Sequence, residues 1–408
     1  MRRSRSWVLF GAVLVDMLGF GIVIPVLPFY ALELDASPLQ VTLLIASYSA
    51  MQLVATPIWG RVSDHHGRRP LLVAGLFVSS FSYFIFGLAT TLTTLLLSRI
   101  AAGAAGGTVS VAQAYMADST SDEDRAHGMG LIGAASGMGF MMGPAIGGFF
   151  SSFGYAAPGF VAAGLCALNG VAAFFLLPES RPPEMRERTG LGEAATLRGW
   201  LAAMTARPMG RLLGVYFLAI SAFAAMTALL ALYMEARFAV DARTMGIIFT
   251  IAGGATVVVR GWLLGRLVRR YGEPAVVRLG VVALFLSLAV VPLIPGTWWM
   301  AMVVPVWAFG AGTLFPALAA LVSRVSHAGS QGSVLGGQQV VGGLGRVAGP
   351  IWGGWLFQTL STGAPFQVGA LLVAGAGVLA LGLPAAVRRP TEQPASEGEL
   401  AAEVRVAE

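Results

Sequence analysis

A chain of 408 residues that is 56% hydrophobic and only 11% charged carries less than half the charge density of a soluble domain, so lipid must be the solvent for much of its surface. Its formal charge of +6 comes from 26 arginines and no lysine, scattered in short gaps between apolar runs. That pattern argues against a nucleic-acid footprint, and the absence of lysine excludes a Walker-type phosphate loop and a pyridoxal Schiff base. Cys166 stands alone, which excludes an intrachain disulfide and leaves a cysteine-based zinc site without ligands.

In chain order, twelve apolar runs are each long enough to cross a bilayer as a helix: 7-30, 39-60, 70-90, 92-117, 128-152, 156-177, 208-234, 243-265, 275-294, 297-322, 332-358 and 364-385. None shows the strict alternation of a barrel strand. The first run follows Arg2, Arg3 and Arg5. It is longer than a signal-peptide core and reads as a first transmembrane helix that starts in the cytoplasm. With that start, 21 arginines fall on the cytoplasmic side and two outside, while Arg99, Arg260 and Arg346 lie within spans. Such a division is what twelve spans with both termini inside predict.

The runs divide into an N-terminal six-helix bundle (1-177), a charged cytoplasmic linker (178-207), a C-terminal six-helix bundle (208-385) and a polar tail (386-408), expected to be disordered. The bundles repeat. Gly60 to Gly67 aligns with Gly265 to Gly272 at an offset of 205, and Gly143-Pro144-Ala145-Ile146-Gly147-Gly148 aligns with Gly349 to Gly354 at 206. Tandem six-helix halves place a substrate site at their interface near the membrane midplane.

Asp16 is the only carboxylate deep in a span, nine residues into the first run and roughly 13 Å from its end. A lone intramembrane acid is costly and usually functional. It is a candidate to bind and release the coupling proton, against the plainer reading of a fixed salt bridge or a hydrogen-bonded packing residue. Arg99 is its natural counter-charge. Arg99, Gly103, Gly106, Ser110 and Gln113 recur at spacings of three and four in helix 4, so they share a helical stripe. Arg346 shares another in helix 11 with Gln339, Gly342, Gly349 and Gly353, and Tyr48 and Gln52 are one turn apart in helix 2. Tyr48, Gln52, Gln113, Phe217, Arg260, Gln339 and Arg346 are candidates to line a substrate cavity. Three intramembrane arginines facing one acid favour neutral, zwitterionic or anionic cargo. The four histidines, at 65, 66, 127 and 327, fall in cytoplasmic loops, away from any intramembrane proton path.

The ordered motifs resemble the drug:proton antiporters of the major facilitator superfamily. Gly60-Arg-Val-Ser-Asp64-His-His-Gly67-Arg68-Arg69 resembles that superfamily's loop between helices 2 and 3, Arg99 with Gly103 its helix-4 arginine motif, and Gly139-Phe-Met-Met-Gly143-Pro144-Ala-Ile-Gly147-Gly148 its antiporter motif in helix 5. The run from Asp16 through Gly19, Gly21 and Pro25 to Pro28 is similar to the tetracycline-efflux branch. The resemblance implies an all-α fold of twelve transmembrane helices in two pseudo-symmetric halves. It implies proton-coupled efflux of small hydrophobic or drug-like molecules from the inner membrane, with no cofactor or metal beyond the proton, no nucleic acid, and a monomer in the bilayer. It also implies a conformational latch in which Asp64 meets a helix end of the other half and Arg68 pairs with an acid ending helix 4, here Asp118. Ser82 stands where tetracycline exporters carry a further acid, which argues against tetracycline itself. The second reading is an uptake carrier or facilitator for a sugar, organic acid or other metabolite on the same fold. A membrane enzyme or sensor would need a catalytic cluster or a soluble domain that the sequence lacks.

Overall fold

The computed structural model describes residues 2–120, 122–180, 209–326 and 331–383. Most of the expected linker, the tail 386-408 and His327 lie outside the described residues. Among those described the secondary structure is helical throughout, without a strand. Twelve long helices are α1 (Trp7–Glu33), α2 (Pro38–His66), α3 (Arg68–Gly87), α4 (Leu92–Ser119), α5 (Gly128–Phe153), α6 (Ala157–Leu176), α7 (Met209–Phe238), α8 (Ala242–Tyr271), α9 (Glu273–Leu293), α10 (Thr297–Val325), α11 (Gln331–Thr359) and α12 (Ala364–Leu381). All but α11 are apolar enough by mean hydropathy to be membrane spans in their own right. In α11 the repeated glycines, Gln338, Gln339 and Arg346 lower the hydropathy, yet its 29 residues are ample for a crossing. Side chains such as Phe81, Phe175, Trp298 and Leu371 stand exposed on the helices, as a surface that meets lipid requires. The chain is a multi-pass membrane protein.

Local chemistry sets the helix ends. Ser37 opens α2 with a capping box: its Oγ accepts from the Gln40 backbone N–H at 3.3 Å, and Gln40 Oε1 accepts from the Ser37 N–H at 2.8 Å. Pro25 and Pro28 coincide with a turn at residues 24–26 that breaks α1. Gly67, at φ 99°, turns α2 into α3, and Gly272, at φ 78°, turns α8 into α9. Both need the left-handed region that glycine tolerates. They are the same position in the two copies of the repeat.

The second repeat is equally explicit. Without a hydrophobic drive between helices in lipid, close approach relies on small residues. A Cβ on Gly139 or Gly143 would strike the α1 backbone, at Leu14 O (2.7 Å) and Gly21 Cα (2.6 Å), and one on Gly147 would collide with Ile22 O. Their counterparts Gly345, Gly349 and Gly353 lie against Ile220, Ser221 and Ala225 of α7. Gly148 instead faces across to α8, with Gly246 Cα 2.9 Å from the position of an added Cβ, and its counterpart Gly354 faces Thr42 of α2. Each motif therefore binds its own bundle through three glycines and touches the other bundle through the fourth.

The two bundles, α1–α6 and α7–α12, meet mainly along α5–α8 and α2–α11. The contacts loosen in one direction. Along α5 and α8, Gly246 would bring a Cβ to 2.6 Å from Pro144 O, Gly253 to 2.5 Å from Met141 Cα, and Gly137 only to 3.8 Å from Val257; Gly130, Gly133 and Gly261 face open space. Along α2 and α11, Gly354 is jammed on Thr42, Gly343 comes within 2.5 Å of Leu53, and Gly60 and Gly336 meet nothing. The bundles form a V, closed at the arginine-poor end and open at the end that carries Arg61, Arg68 and Arg69.

Candidate functional site

Asp16 lies inside the first bundle, 6% exposed, among residues of α1, α2, α3 and α4. Ser79 of α3 donates to its Oδ1 at 3.2 Å. Beside it is a small polar niche, about 10 Å³ in volume, lined by residues that include Tyr48, Gln52, Ser79, Tyr83 and Gly106. That is room for about one water. Gln52 Nε2 donates to the Tyr48 hydroxyl at 3.4 Å and to the Gly106 carbonyl at 3.3 Å, and the Tyr48 ring lies 5.1 Å from that of Phe20. Cys166 is fully buried near Gly19, between α1 and α6, and Asn169 of α6 donates to Ala12 O at 3.0 Å.

Arg99 does not pair with Asp16. It is 3% exposed, its guanidinium sits 5.1 Å from the Phe86 ring and 5.8 Å from the Tyr83 ring, and its one hydrogen bond is a long one, 3.4 Å, to Ser98 Oγ. Its Nη2 has no partner. Aromatic faces hold a cation weakly, so Tyr83 and Phe86 take the place expected for the carboxylate. The expected stripe on α4 is also divided. Arg99 leans on α3, Gly103 and Gly106 press on α2 at Tyr48 and Gln52, and the helix breaks at Gly106–Gly107. Gln113 lies exposed below that break.

At the open end, Arg68 is 7% exposed and holds two carboxylates: Nη2 to Asp64 Oδ1 at 2.7 Å and Nε to Asp118 Oδ2 at 3.0 Å. Its Nη1 donates to Ser63 Oγ at 2.5 Å. Asp118 is where the resemblance placed it. Asp64 pairs with Arg68 one turn away on the same bundle. Glu179, which the sequence offered only as one more linker charge, accepts from the backbone N–H groups of Arg68 (2.9 Å) and Arg69 (3.3 Å) at the start of α3, a favourable place for an anion. Arg69 lies over the Phe174 ring and donates to the Phe174 carbonyl.

In the second bundle, Gly342 of α11 would bring a Cβ to 2.7 Å from the Tyr216 ring, and Tyr216 lies within electrostatic reach of both Arg346 and Arg260. Arg346 also lies within electrostatic range of Tyr48 of the first bundle. Arg260 stands in a π-helical stretch of α8, Val259–Leu263. Such one-turn bulges are frequent at functional sites. Phe217 is half-buried on α7 and Gln339 is exposed, whereas its neighbour Gln338 is buried.

A family model described as Major Facilitator Superfamily matches residues 9–350. Tetracycline resistance protein, class C, of Escherichia coli is 31% identical over 349 residues, covering 84% of this chain and 87% of that protein. Multidrug resistance protein 2 of Bacillus subtilis (strain 168) is 30% identical over 383 residues, covering 91% and 93%. Among solved structures, the human organic anion transporter MFSD10 (TETRAN) aligns with a TM-score of 0.70 at 24% identity over 93% of this chain and 99% of its own. The nucleoside transporter NupG aligns at 0.75 with 14% identity over 92% and 97%. At these identities the structures speak to the fold alone.

Proposed function

The chain belongs to the Major Facilitator Superfamily, and we propose that it is a secondary active transporter that expels small hydrophobic or drug-like molecules in exchange for protons. The observation that carries the reading is the carboxyl of Asp16, the one buried acid among the described residues, bonded to Ser79 beside a water-sized niche within the first bundle. The relatives named as tetracycline and multidrug resistance proteins, matched over most of their length, support efflux over uptake. The positive-inside rule puts the arginine-rich end in the cytoplasm of a bacterial inner membrane. The V is then inward-open, ready to load cargo from inside.

Alternating access follows from the geometry. The bundles rock about the glycine contacts of α5–α8 and α2–α11. The switch at the open end is the Gly60, Asp64, Gly67, Arg68, Arg69 and Asp118 motif, whose Arg68-centred charges rearrange when the V closes. A proton that arrives from outside neutralises Asp16. Arg99, a buried cation without an acid of its own, feels that change across Tyr83 and Tyr48, and the preference between the two states shifts. One charge crossing 100 mV is worth about 2.3 kcal/mol, before any pH gradient, enough to bias such an equilibrium. No cofactor enters the cycle; the proton is the coupling ion.

The test uses inverted vesicles with an imposed pH gradient: added cargo should release protons at a rate set by cargo concentration. Coupled transport at the full wild-type rate by Asp16→Asn would refute the proton role.

A further inference from the structure

We propose that Arg260 and Arg346, on the faces of α8 and α11 that line the crevice between the bundles, form a receptor for the acidic group of the cargo, so that the preferred substrates are amphipathic organic anions. The proposal rests on the efflux reading above and adds the charge class of what is carried.

Placement comes first. Arg346 is fifteen residues from the start of α11 and thirteen from its end, roughly 20 Å from either, too far for its side chain to snorkel to a headgroup. On α11, Gly342, Gly345 and Gly349 face α7, while Gly343 and Gly354 face α2. At 3.6 residues per turn Arg346 falls between those two rows. It therefore points into the crevice where the bundles meet, away from lipid. Its reach to Tyr216 in one bundle and Tyr48 in the other agrees. Arg260 lies on the α8 face that carries Gly253 and Val257, the residues that meet α5 across the interface. Its Cγ would lie 3.9 Å from a Cβ on Gly312 of α10, so its stem rests on the bundle while its head is exposed.

Charge comes next. Among the described residues of the second bundle the carboxylates are Glu235, Asp241 and Glu273, all at helix ends, and Glu273 is taken by Arg324 at 2.5 Å. Among the described residues no ion pair reaches Arg260 or Arg346. Asp16 belongs to the other bundle and is held by Ser79. Two midplane cations without an anion are an expense that structure alone does not explain. Arginine's planar fork suits a carboxylate or sulfonate. Behind Tyr216 the rings of Phe315, Phe223 and Trp307 follow in succession, at 5.6, 5.5 and 4.8 Å. Such a wall accepts an apolar aromatic body.

One consequence is electrical. Exchange of an inward proton for an outward monoanion moves two charges in the same sense, whereas a neutral cargo moves one.

The experiment compares three probes with one ring system: 1-naphthoate, its methyl ester, and (1-naphthylmethyl)trimethylammonium. Binding to the purified full-length protein is measured by isothermal titration. The carboxylate should bind roughly tenfold more tightly than the ester, the scale of a charge-assisted hydrogen bond. Arg346→Gln and Arg260→Gln should each remove most of that advantage, with an unchanged melting temperature to show that the variants are folded. Failure of the carboxylate to bind, equal or tighter binding of the ester or the ammonium, or indifference of the carboxylate to both substitutions overturns the proposal. Carboxylate binding of the expected pattern without proton-driven export would sustain this assignment and remove the efflux reading instead.

Discussion

Ser79 holds Asp16 across the α3–α1 boundary, with its hydroxyl 3.2 Å from Oδ1. It is the one hydrogen bond to the only carboxyl in the middle of the described membrane segments. Hydrogen bonds to charged groups are worth about 1.5–3 kcal/mol. Ser79→Ala should therefore reduce proton-driven export by roughly tenfold or more, whereas Ser79→Thr, which keeps the hydroxyl, should retain most of it. Initial rates in proteoliposomes at one fixed pH gradient decide. Equal rates for the two variants would mean that Ser79 merely fills space.

Arg99 gives a prediction in which stability and activity part company. Its guanidinium is buried on Tyr83 and Phe86 with Nη2 unpartnered. An uncompensated buried charge is itself destabilising, because its desolvation is not offset by a partner, so an apolar side chain of similar volume in its place removes that cost. Arg99→Met should leave the melting temperature unchanged or raise it, while proton-coupled export falls by at least roughly tenfold. Arg99→Lys should not rescue transport, because an ammonium lacks the planar face that stacks on the rings. A large loss of thermal stability in Arg99→Met would make Arg99 a structural residue.

These two residues mark where the sequence was legible. The spans and the repeat at 205–206 residues could be read from spacing and residue type, because hydropathy, arginine asymmetry and glycine periodicity are properties of the chain itself; the Arg68–Asp118 pair came only from the family resemblance. Asp16 stood out because an acid in a span is rare. Ser79 and Glu179 did not. They are ordinary residue types, and what matters is a contact 63 or 111 positions away in the chain. The expected Asp16–Arg99 pair failed for a related reason: charge alone names a partner, but the rings of Tyr83 and Phe86 occupy the space on which the guanidinium lies. Ser79, Tyr83 and Phe86 do recur at spacings of four and three on α3, a stripe that hinted at an interior face.

The V itself can be tested by reactivity. Gly133 and Gly261 face open space, whereas Thr42 is fully buried against Gly354. In the resting protein, Gly133→Cys and Gly261→Cys should react with a bulky, membrane-impermeant maleimide applied to the arginine-rich face, and Thr42→Cys should not. The native Cys166 thiol, fully buried, supplies the silent background. Reaction of Thr42→Cys in preference to the two glycine positions would reverse the direction in which the V opens.

The last prediction separates the two jobs of the glycine motif. Gly147 lies against the Ile22 carbonyl inside one bundle, while Gly148, the next residue, lies against Gly246 of the other. A valine at either position needs space that is not there, but the relief differs. At Gly147 the only relief is to push α1 from α5, which breaks the bundle, so Gly147→Val should lower folded yield and melting temperature, with overpacking costs of typically 1–3 kcal/mol. At Gly148 the bundles can part at the closed end, a motion the transporter already makes. Gly148→Val should therefore remain folded and shift the population towards the state open at the arginine-poor end. Two readouts follow. Maleimide labelling of Gly133→Cys should fall in the Gly148→Val background, and disulfide formation between Met141→Cys and Gly253→Cys, whose positions touch in the closed end, should slow. If Gly148→Val unfolds the protein as Gly147→Val does, the contact between bundles is a fixed seam and the rocking motion must pivot elsewhere.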